Sequence, residues 1–449
     1  MSNIIDFNAI SQACVKCGKC IPHCTIYRIH REEVTSPRGY LDLVGAYARG
    51  DLSLDKLTKD YFESCFLCTT CVENCPSHLH VDVAIEKIRI DIAKRYGIAW
   101  YKRLYFFLLK HRRLMDIVFS MVAFVAPCAF KSNAQGNTLP FSKRIVFPFS
   151  KKSFLNTYKG LVPATAPKTQ NLAHHRVAVF IGCLANYNYK GVGESLLTIL
   201  DRLGIDALVP EQECCGAPAY FTGDITSVLT LIKRNIELFE RFIDEVDAIL
   251  IPEATCAAML IKDWEHALMH DEESKALLPR LRKLTPKMAM ASHWLYHNTN
   301  LATLLESARD SKSTPSNTSG SLDSGNFNTR APITHRQITY HDPCHAKKVL
   351  HIHQEPRILL GKTRQIIEMS EPDRCCGFGG VSMQSDRYNL TLKAGIPKAQ
   401  MIAQTKAPVV SAECSACRMQ ITNALAHEQA DVRFMHTLEI IAQDLQPRF

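Results

Sequence analysis

Five cysteines towards the carboxyl end of the chain have the spacing of a metal site: Cys344, Cys375, Cys376, Cys414 and Cys417. The adjacent thiols of Cys375 and Cys376 do not easily bond to each other, but both can face one metal if the backbone turns tightly. Gly377, Gly379 and Gly380 follow directly, and glycine accepts the backbone angles that such a turn needs. Thiolates are soft ligands that select iron–sulfur clusters, zinc or Cu(I). The spacing therefore predicts a multi-thiolate cluster site.

Eight cysteines near the amino terminus form two runs of the pattern C-x2-C-x2-C-x3-C, which is that of two-cluster bacterial ferredoxins. In those proteins three thiolates of one run hold a cubane, and the fourth ligates the other cluster. This rule assigns Cys14, Cys17, Cys20 and Cys75 to a first [4Fe–4S] cluster, and Cys65, Cys68, Cys71 and Cys24 to a second. A pair of zinc knuckles is the alternative, although zinc does not require the third cysteine of each run. One departure is Thr25, which stands where the ferredoxin run expects proline.

An incomplete copy of the carboxyl-terminal pattern lies upstream, at Cys183, Cys214, Cys215 and Cys256. The first three of these stand 161 positions before their counterparts, and a gap that stays constant three times indicates a duplication. The later copy closes with two cysteines, whereas the earlier one closes with Cys256 and then Met259, so the fifth thiolate is predicted to be missing at Met259. The earlier site is expected to be empty, to hold a different cluster or to serve as a scaffold. Cys128 lies outside all these patterns and is expected to be a packed thiol.

The segments around these cysteines indicate the elements that position them. A strand-like run from Arg176 to Ile181 precedes Cys183, and another from Ala248 to Ile251 precedes Cys256, with helix-like stretches between them. Strands that alternate with helices predict an α/β unit, here present twice. Apolar residues at helical spacing from Val81 to Tyr96 favour a mainly helical amino-terminal domain. The predicted fold class is therefore α+β overall.

Five regions follow from this pattern. They are a two-cluster ferredoxin-type domain (1–98), an amphipathic connecting segment (99–172), a first cysteine-rich domain (173–305), a flexible linker (306–332) and a second cysteine-rich domain (333–449). The linker is predicted from a low-complexity stretch rich in Ser, Thr, Asn and Gly, which lacks apolar residues to bury.

The bulk composition limits the compartment and the partners. Eighteen cysteines without a signal peptide favour a reducing, cytoplasmic location and metal ligation rather than disulfides. The net charge of +9 is modest for 449 residues, and no basic stripe suggests nucleic acid. A mildly basic surface suits acidic partners or an anionic membrane face.

The connecting segment contains an aromatic and basic stretch followed by an apolar run, from Trp100 to Phe130. The run is interrupted and too short for a confident transmembrane helix, which needs about 20 apolar residues. Two interpretations stay open: a helix that lies in a membrane interface, or a buried helical pair that packs the domains together.

The combined motifs resemble a superfamily of iron–sulfur subunits. It includes those of glycolate oxidase, D-lactate dehydrogenase and anaerobic glycerol-3-phosphate dehydrogenase, and the heterodisulfide reductases. The resemblance rests on the cysteine runs and on the segments Ser36–Gly39, Asp342–His345 and Cys375–Gly380. It implies a two-cluster ferredoxin domain followed by two cysteine-rich CCG domains. It also implies a further cluster on the five later cysteines, which in heterodisulfide reductase is a noncubane [4Fe–4S] cluster.

The implied function is electron transfer within an oxidoreductase complex. No G-x-G-x-x-G fingerprint follows a strand, so a separate FAD-containing dehydrogenase subunit is expected to perform the two-electron substrate step. The electrons would then pass towards a membrane quinone or a membrane anchor, with the protein peripheral on the inner face of the cell membrane. The alternative is a heterodisulfide-reductase-like enzyme that reacts at the second cysteine-rich domain. His341, His345, His351 and His353 surround Cys344 as either proton relays or structural groups.

Overall fold

A computed structural model describes residues 6–133, 136–138, 144–167, 176–313 and 336–446. The amino-terminal domain is helical, as its apolar periodicity predicts. Its helices are α1 (Phe7–Ala13), α2 (Thr25–His30), α3 (Pro37–Arg49), α4 (Lys56–Glu63), α5 (Thr70–Glu73) and α6 (Val81–Tyr96), with a 3-10 turn at Glu33–Thr35.

Helix α3 spans the gap between the two cysteine runs and has clear sequence signals at both ends. The Ser36 hydroxyl accepts a hydrogen bond from the Gly39 amide, and Pro37 occupies the first helical turn, where its missing N–H costs nothing. Gly50 ends the helix in the left-handed conformation, at φ +81°. These signals fix the position of Pro37 and Arg38, which reach the first group of cysteines.

The connecting region contains more regular structure than its composition predicts. Its elements are α7 (Trp100–Leu109), α8 (Arg112–Ala129), β1 (Lys131–Asn133), β2 (Gly136–Thr138), β3 (Ile145–Val146), α9 (Phe154–Thr157) and β4 (Gly160–Val162). Strands β1, β2 and β3 form a small antiparallel sheet.

The first cysteine-rich domain has a mixed sheet with helices on both faces. Its elements are β5 (Arg176–Val179), α10 (Cys183–Tyr187), α11 (Gly191–Arg202), β6 (Asp206–Val209), α12 (Ala217–Tyr220), α13 (Ile225–Phe239), β7 (Ala248–Ile251), α14 (Ala254–Ala258), α15 (Trp264–Leu268), α16 (Leu278–Leu284), β8 (Met288–Met290), α17 (Ala291–Asn298) and α18 (Leu301–Ser313). A π-helical turn covers Met259–Asp263, and 3-10 turns cover Ile243–Glu245, Ser274–Leu277 and Thr285–Lys287. The strand order is β4-β6-β5-β7-β8, with β4 alone antiparallel.

The second cysteine-rich domain has a fully parallel sheet in the order β10-β9-β11-β12. Its elements are β9 (Gln337–Tyr340), a π-helical turn (His345–Val349), α19 (Gln354–Gly361), β10 (Gln365–Ile366), α20 (Gly380–Asp386), α21 (Tyr388–Gln404), β11 (Val409–Ala412), α22 (Ser415–His427), β12 (Arg433–His436) and α23 (Thr437–Leu445).

The two sheets confirm the α+β fold class and repeat one another. The order β6-β5-β7-β8 in the first domain matches β10-β9-β11-β12 in the second. The central strands also keep the 161-residue offset, since β5 begins at Arg176 and β9 at Gln337, while β7 begins at Ala248 and β11 at Val409. The copies share a core in which α11 packs on α23, with Leu196 and Leu438 both fully buried.

Three details differ from the sequence predictions. Strand β4 lies inside the predicted connecting segment 99–172, yet it hydrogen-bonds to β6 and extends the sheet of the first domain. Helix α18 continues to Ser313, so the first part of the predicted linker 306–332 is helical, and the rest lies outside the described residues. Cys128 is exposed on α8, so the prediction of a packed thiol is wrong, because the apolar run buries only one face of its helix.

Candidate metal centres

The two ferredoxin-type runs surround two small cavities in the amino-terminal domain. The first, of about 30 Å³, is lined by Cys14, Cys17, Cys20 and Cys75 together with Cys71. The second, also of about 30 Å³, is lined by Cys24, Cys65, Cys68 and Cys71. The structure thus brings together each set of four that the ferredoxin rule assigns, and the soft, all-thiol donor set fits a [4Fe–4S] cluster in each.

The first cavity lies near the surface and beside a cation. Cys17 is exposed, whereas Arg38 on α3 donates to the Lys16 carbonyl at 3.1 Å and forms an ion pair with Glu33. Arg38 lines the cavity while its side chain stays 32% exposed, so its charge is both close to the candidate cluster site and in contact with solvent.

The five later cysteines gather at the carboxyl ends of β9 and β11, where parallel strands place ligand sites. Cys344 follows β9, and Cys414 and Cys417 follow β11. The thiols of Cys376 and Cys417 lie 3.4 Å apart, and the Cys417 amide donates to Cys414 Sγ at 3.5 Å. All these residues except the half-buried Cys344 are buried. The donor set fits a multi-thiolate cluster.

A glycine turn presents the two adjacent thiols, as the sequence predicts. Gly377 has φ +88°, and a Cβ there would lie 2.8 Å from the Thr391 carbonyl oxygen. The Gly377 amide donates to Cys375 Sγ at 3.4 Å. The first domain repeats this contact, because the Gly216 amide donates to Cys214 Sγ at 3.4 Å with φ +90°. Both turns need glycine because other residues strain in the left-handed region.

Neighbouring donors favour thiolates at two of the five cysteines. Hydrogen bonds with the Cys375 and Cys417 thiols lower the pKa of Cys376 to about 6. The Cys417 thiol likewise lowers the pKa of Cys414 to about 7, against the effect of burial. In Cys344, by contrast, burial raises the pKa to about 12. The hydrogen bonds among these thiols thus lower the pKa of Cys376 and Cys414, while they raise the pKa of Cys417.

Two buried lysines balance the negative charge of this site. Lys348 Nζ donates to Thr70 Oγ1 at 2.5 Å and to the Asp373 carbonyl at 3.0 Å, with its side chain fully buried. Lys398 Nζ donates to the carbonyls of Glu371 and Pro372, and burial lowers its pKa to about 8. Lys348 lies between the second ferredoxin cavity and Cys344, so its charge acts on both thiol groups.

His341 is a further member of the second site that sequence reasoning noted only as a flanking residue. Its Nδ1 lies 3.1 Å from the Pro372 carbonyl and must carry the proton of that hydrogen bond. Its Nε2 is buried without a hydrogen-bond partner among the described residues. One of its ring nitrogens lies within 4.8 Å of the thiols of Cys376 and Cys417, so the histidine lies against the cluster site. Only the sheet geometry reveals this, because His341 precedes its nearest cysteine by three residues.

The first cysteine-rich domain brings its four cysteines together as well. Cys183 Sγ and Cys214 Sγ are 3.9 Å apart, and Cys215 is within hydrogen-bonding reach of Cys256. All four are buried. The neighbouring Cys214 thiol and burial raise the pKa of Cys183 well above its usual range, and the pKa of Cys256 is raised to about 11. This set offers four thiols rather than five.

The missing fifth thiolate corresponds to Glu253, and the prediction that it is missing at Met259 is wrong. Strand β7 ends at Ile251 and β11 at Ala412, and the residue two positions later caps the next helix in each copy. That residue is Glu253 in the first domain and Cys414 in the second, so Cys256 corresponds to Cys417. The 161-residue offset gives the same register, since it relates Glu253 to Cys414 and Cys256 to Cys417, so the spacing of the repeat contained the signal that identifies Glu253.

Glu253 contacts the other copy through both oxygens of its carboxylate. Its carboxylate accepts hydrogen bonds from the Ser415 amide at 2.6 Å and from the Ser415 hydroxyl. These bonds join the two copies, and the Ala254 amide donates back across the interface to the Glu413 carbonyl at 2.9 Å. Burial raises the pKa of Glu253. The residue thus serves the interface between the domains at the place where its counterpart is a candidate ligand.

A mainly apolar cavity of about 480 Å³ opens between the two cysteine-rich domains. One wall carries cysteines of both copies, among them Cys183, Cys256, Cys344, Cys414 and Cys417. Its lining also includes Tyr105, Met115 and Phe119 of α7 and α8. This volume is typical of small-molecule sites.

The second ferredoxin cavity adjoins the second cysteine-rich site directly. The thiols of Cys68 and Cys375 are within hydrogen-bonding reach of each other. Phe66 and Leu67 extend from the ferredoxin side to the wall of the large cavity. Arg28 fastens the two domains through both carboxylate oxygens of Glu371, at 3.0 and 2.8 Å. The candidate centres therefore form a continuous series.

Comparison with known proteins agrees with this organisation. A 4Fe-4S dicluster domain model matches residues 10–79, and a cysteine-rich domain (CCG) model matches residues 177–261 and again 338–422. The chain is 26% identical to the probable glycolate oxidase iron-sulfur subunit of Bacillus subtilis (strain 168), over 96% of this chain and 93% of that protein.

Two further relatives show the same resemblance. One of the subunits of the fumarate reductase (CoM/CoB) of Methanothermobacter marburgensis is 25% identical over 96% of this chain and 71% of its own length. Lactate utilization protein A of Bacillus subtilis (strain 168) is 26% identical over 59% of this chain and 98% of its own length. The resemblance stated from the cysteine motifs is thereby confirmed.

Proposed function

We propose that this chain is an electron-transfer subunit. The premise is that it joins a 4Fe-4S dicluster domain to two cysteine-rich CCG domains and is homologous to iron–sulfur subunits of oxidoreductases. Its complex is a flavin-linked dehydrogenase of the glycolate, D-lactate or glycerol-3-phosphate type. A FAD-containing partner oxidises the substrate and delivers electrons to the ferredoxin-type domain. This chain passes them towards a membrane quinone.

The observation that best supports the proposal is the contact between Cys68 of the second ferredoxin site and Cys375 of the second cysteine-rich site. Iron–sulfur clusters move single electrons, so a chain that separates a two-electron donor from a two-electron acceptor needs adjoining cluster sites. Cys71 lines both ferredoxin cavities, and Cys68 joins the second of them to the cysteine-rich site. The resulting order is first ferredoxin site, second ferredoxin site, second cysteine-rich domain.

The two ends of this series suit different partners. At the entry, Cys17 and Val15 are exposed, with Val15 at 73%, so a flavoprotein can approach the first site closely. At the exit, the large cavity is apolar and touches the thiols of Cys344 and Cys414. A quinone head group is flat and apolar, and it takes up two electrons and two protons, the latter from solvent.

The helices α7 and α8 support a membrane location for the exit. Met115 and Phe119 face the cavity, whereas Ile117, Met121 and Phe124 point outwards with exposures of 58, 64 and 80%. A contiguous apolar face of this kind marks an interaction surface, and the exposed Arg113 beside it suits anionic lipid headgroups. Among the described residues, no helix is long and apolar enough to cross a membrane.

The second candidate function is reduction or formation of a disulfide at the second cysteine-rich domain. The observation that favours it is the set of five gathered thiols on the cavity wall, together with the similarity to the fumarate reductase (CoM/CoB) subunit. The four-thiol set of the first domain leaves at most one complete five-cysteine site, so such an enzyme would react at one centre.

Anaerobic purification with associated partners tests these proposals. We expect a flavoprotein to co-purify, and iron and sulfide analysis to exceed the eight irons of two cubanes. About eight irons with only cubane signals in electron paramagnetic resonance (EPR) would exclude a further cluster at the five later cysteines. Disulfide reductase activity by the isolated chain, without a co-purifying flavoprotein, would favour the second candidate. Colourless protein that contains zinc and no acid-labile sulfide would contradict both.

A further inference from the structure

We infer that a divalent metal ion of the zinc class binds on the outer surface between the two cysteine-rich domains, on His293, His297 and Glu355. His293 and His297 are four residues apart on α17, so their side chains share one helix face. Glu355 lies in the first turn of α19, in the other copy of the domain. The ligand atoms of the three residues all lie within 4.8 Å of one another.

The geometry of the three groups fits tetrahedral coordination. His293 Nδ1 is 2.7 Å and His297 Nε2 is 3.3 Å from the same oxygen, Glu355 Oε1. With zinc bond lengths of about 2.0–2.2 Å, neighbouring donors in a tetrahedron are separated by roughly 3.3 Å. The imidazole rings are tilted, with centroids 4.5 Å apart. Small side-chain rotations therefore place all three donors on one ion.

The charges of the site also suit a cation. Burial acts to raise the pKa of Glu355, but its own backbone amide and the two histidines outweigh burial and leave the pKa below the usual range. The carboxylate is therefore ionised at neutral pH, and only 13% of the side chain is exposed. The histidines are 43 and 49% exposed, which leaves an outward position for water. Two imidazoles and one carboxylate form an established donor set for zinc with an open fourth position.

This site is independent of the cysteine centres. None of its three residues lines the 480 Å³ cavity, and zinc carries no redox chemistry. Its ligands come from both copies, so the ion would cross-link α17 to α19 on the outside of the shared core. The inference goes beyond electron transfer, because it assigns a metal ion that bridges the two cysteine-rich domains.

Zinc titration of the cluster-loaded protein, purified without a histidine tag and in a Cys128→Ser background, tests the inference. We expect one zinc ion per chain by elemental analysis after equilibrium dialysis at pH 7.5, and a higher unfolding temperature on zinc addition. His297→Ala and Glu355→Gln should each weaken binding at least tenfold and abolish the temperature shift. His111→Ala removes an exposed histidine elsewhere and should change neither quantity.

Zinc binding that is unchanged in His297→Ala and Glu355→Gln would overturn the inference. An absence of bound zinc at tenfold molar excess over the protein would overturn it as well.

Discussion

Gly377 allows the thiols of Cys375 and Cys376 to reach one wall of the second cysteine-rich site. Its φ is +88°, and a Cβ at this position would approach the Thr391 oxygen to 2.8 Å, which leaves no room for a side chain. Gly377→Ala should therefore destabilise the folded protein by about 2 kcal/mol or more in chemical denaturation.

Gly361 supplies the matched control for this substitution. A Cβ at Gly361 meets no atom within 4 Å, so Gly361→Ala should change the free energy of unfolding by less than about 1 kcal/mol. Equal stability of the two variants would show that the turn at Gly377 relaxes without glycine.

Lys348 places a buried positive charge between the second ferredoxin site and Cys344. Lys348→Met removes this charge, so reduction of a nearby cluster becomes less favourable. The reduction potentials of the clusters in the second ferredoxin site and the second cysteine-rich site should therefore fall by roughly tens of millivolts. Potentiometric titration followed by EPR measures the change.

Lys347→Met is the control, because Lys347 is 22% exposed and forms an ion pair with Asp373. Its effect on the potentials should be clearly smaller. Equal shifts in the two variants would contradict the assigned role of Lys348.

At the residue scale, the sequence was most informative where a motif is local. The ferredoxin spacing identified the cysteines that the structure gathers around each small cavity, because a run of ligands closes on itself. The 161-residue offset of the repeat also relates Glu253 to Cys414. The sequence could not identify the approach of Glu355 to His293, because that contact depends on how two distant domains dock.

The elements α7 and α8 combine the two structures that their sequence left open. Phe106, Leu109 and Met115 are buried in the core shared with the cysteine-rich domains, as a packed helical pair requires. The opposite side of the same helices exposes large apolar residues, as an interfacial helix requires. Amphipathic spacing indicates that a helix has two faces, but the partner of each face is set by tertiary packing.

The exposed apolar side chains of α8, namely Ile117, Met121 and Phe124, predict that this face binds to a membrane. Ile117→Glu combined with Phe124→Glu should weaken binding to anionic lipid vesicles at least tenfold in co-sedimentation, because each substitution replaces buried apolar contact with a charge near the bilayer. The cluster content should stay unchanged.

The control places the same charge on a residue of equal exposure elsewhere. Leu57 on α4 is 58% exposed, as Ile117 is, so Leu57→Glu should leave vesicle binding intact. If both variants bind vesicles as the unaltered protein does, α7 and α8 do not face the membrane.

On the scale of the whole molecule, duplication of the cysteine-rich domain accounts for the architecture. Later sequence divergence between the two copies accounts for the differences between their cysteine sites. The two copies keep the strand order and the glycine turn, since Gly216 and Gly377 make equivalent contacts. They differ at Glu253, where the first copy bonds to the second through Ser415. The internal repeat was readable from the constant cysteine offset, whereas the cavity between the copies was not, because no sequence pattern encodes the docking of one copy on the other.

The central claim is that electrons leave the ferredoxin-type domain through the second cysteine-rich site. The most direct test reduces the cluster-loaded protein anaerobically, removes the reductant and follows reoxidation by a water-soluble quinone analogue in a stopped-flow spectrometer. Cys375→Ser should keep both ferredoxin-type EPR signals but slow their reoxidation at least a hundredfold, whereas Cys128→Ser should react at the unaltered rate. Equally fast reoxidation in Cys375→Ser would contradict the account, because the electrons would then leave by another route.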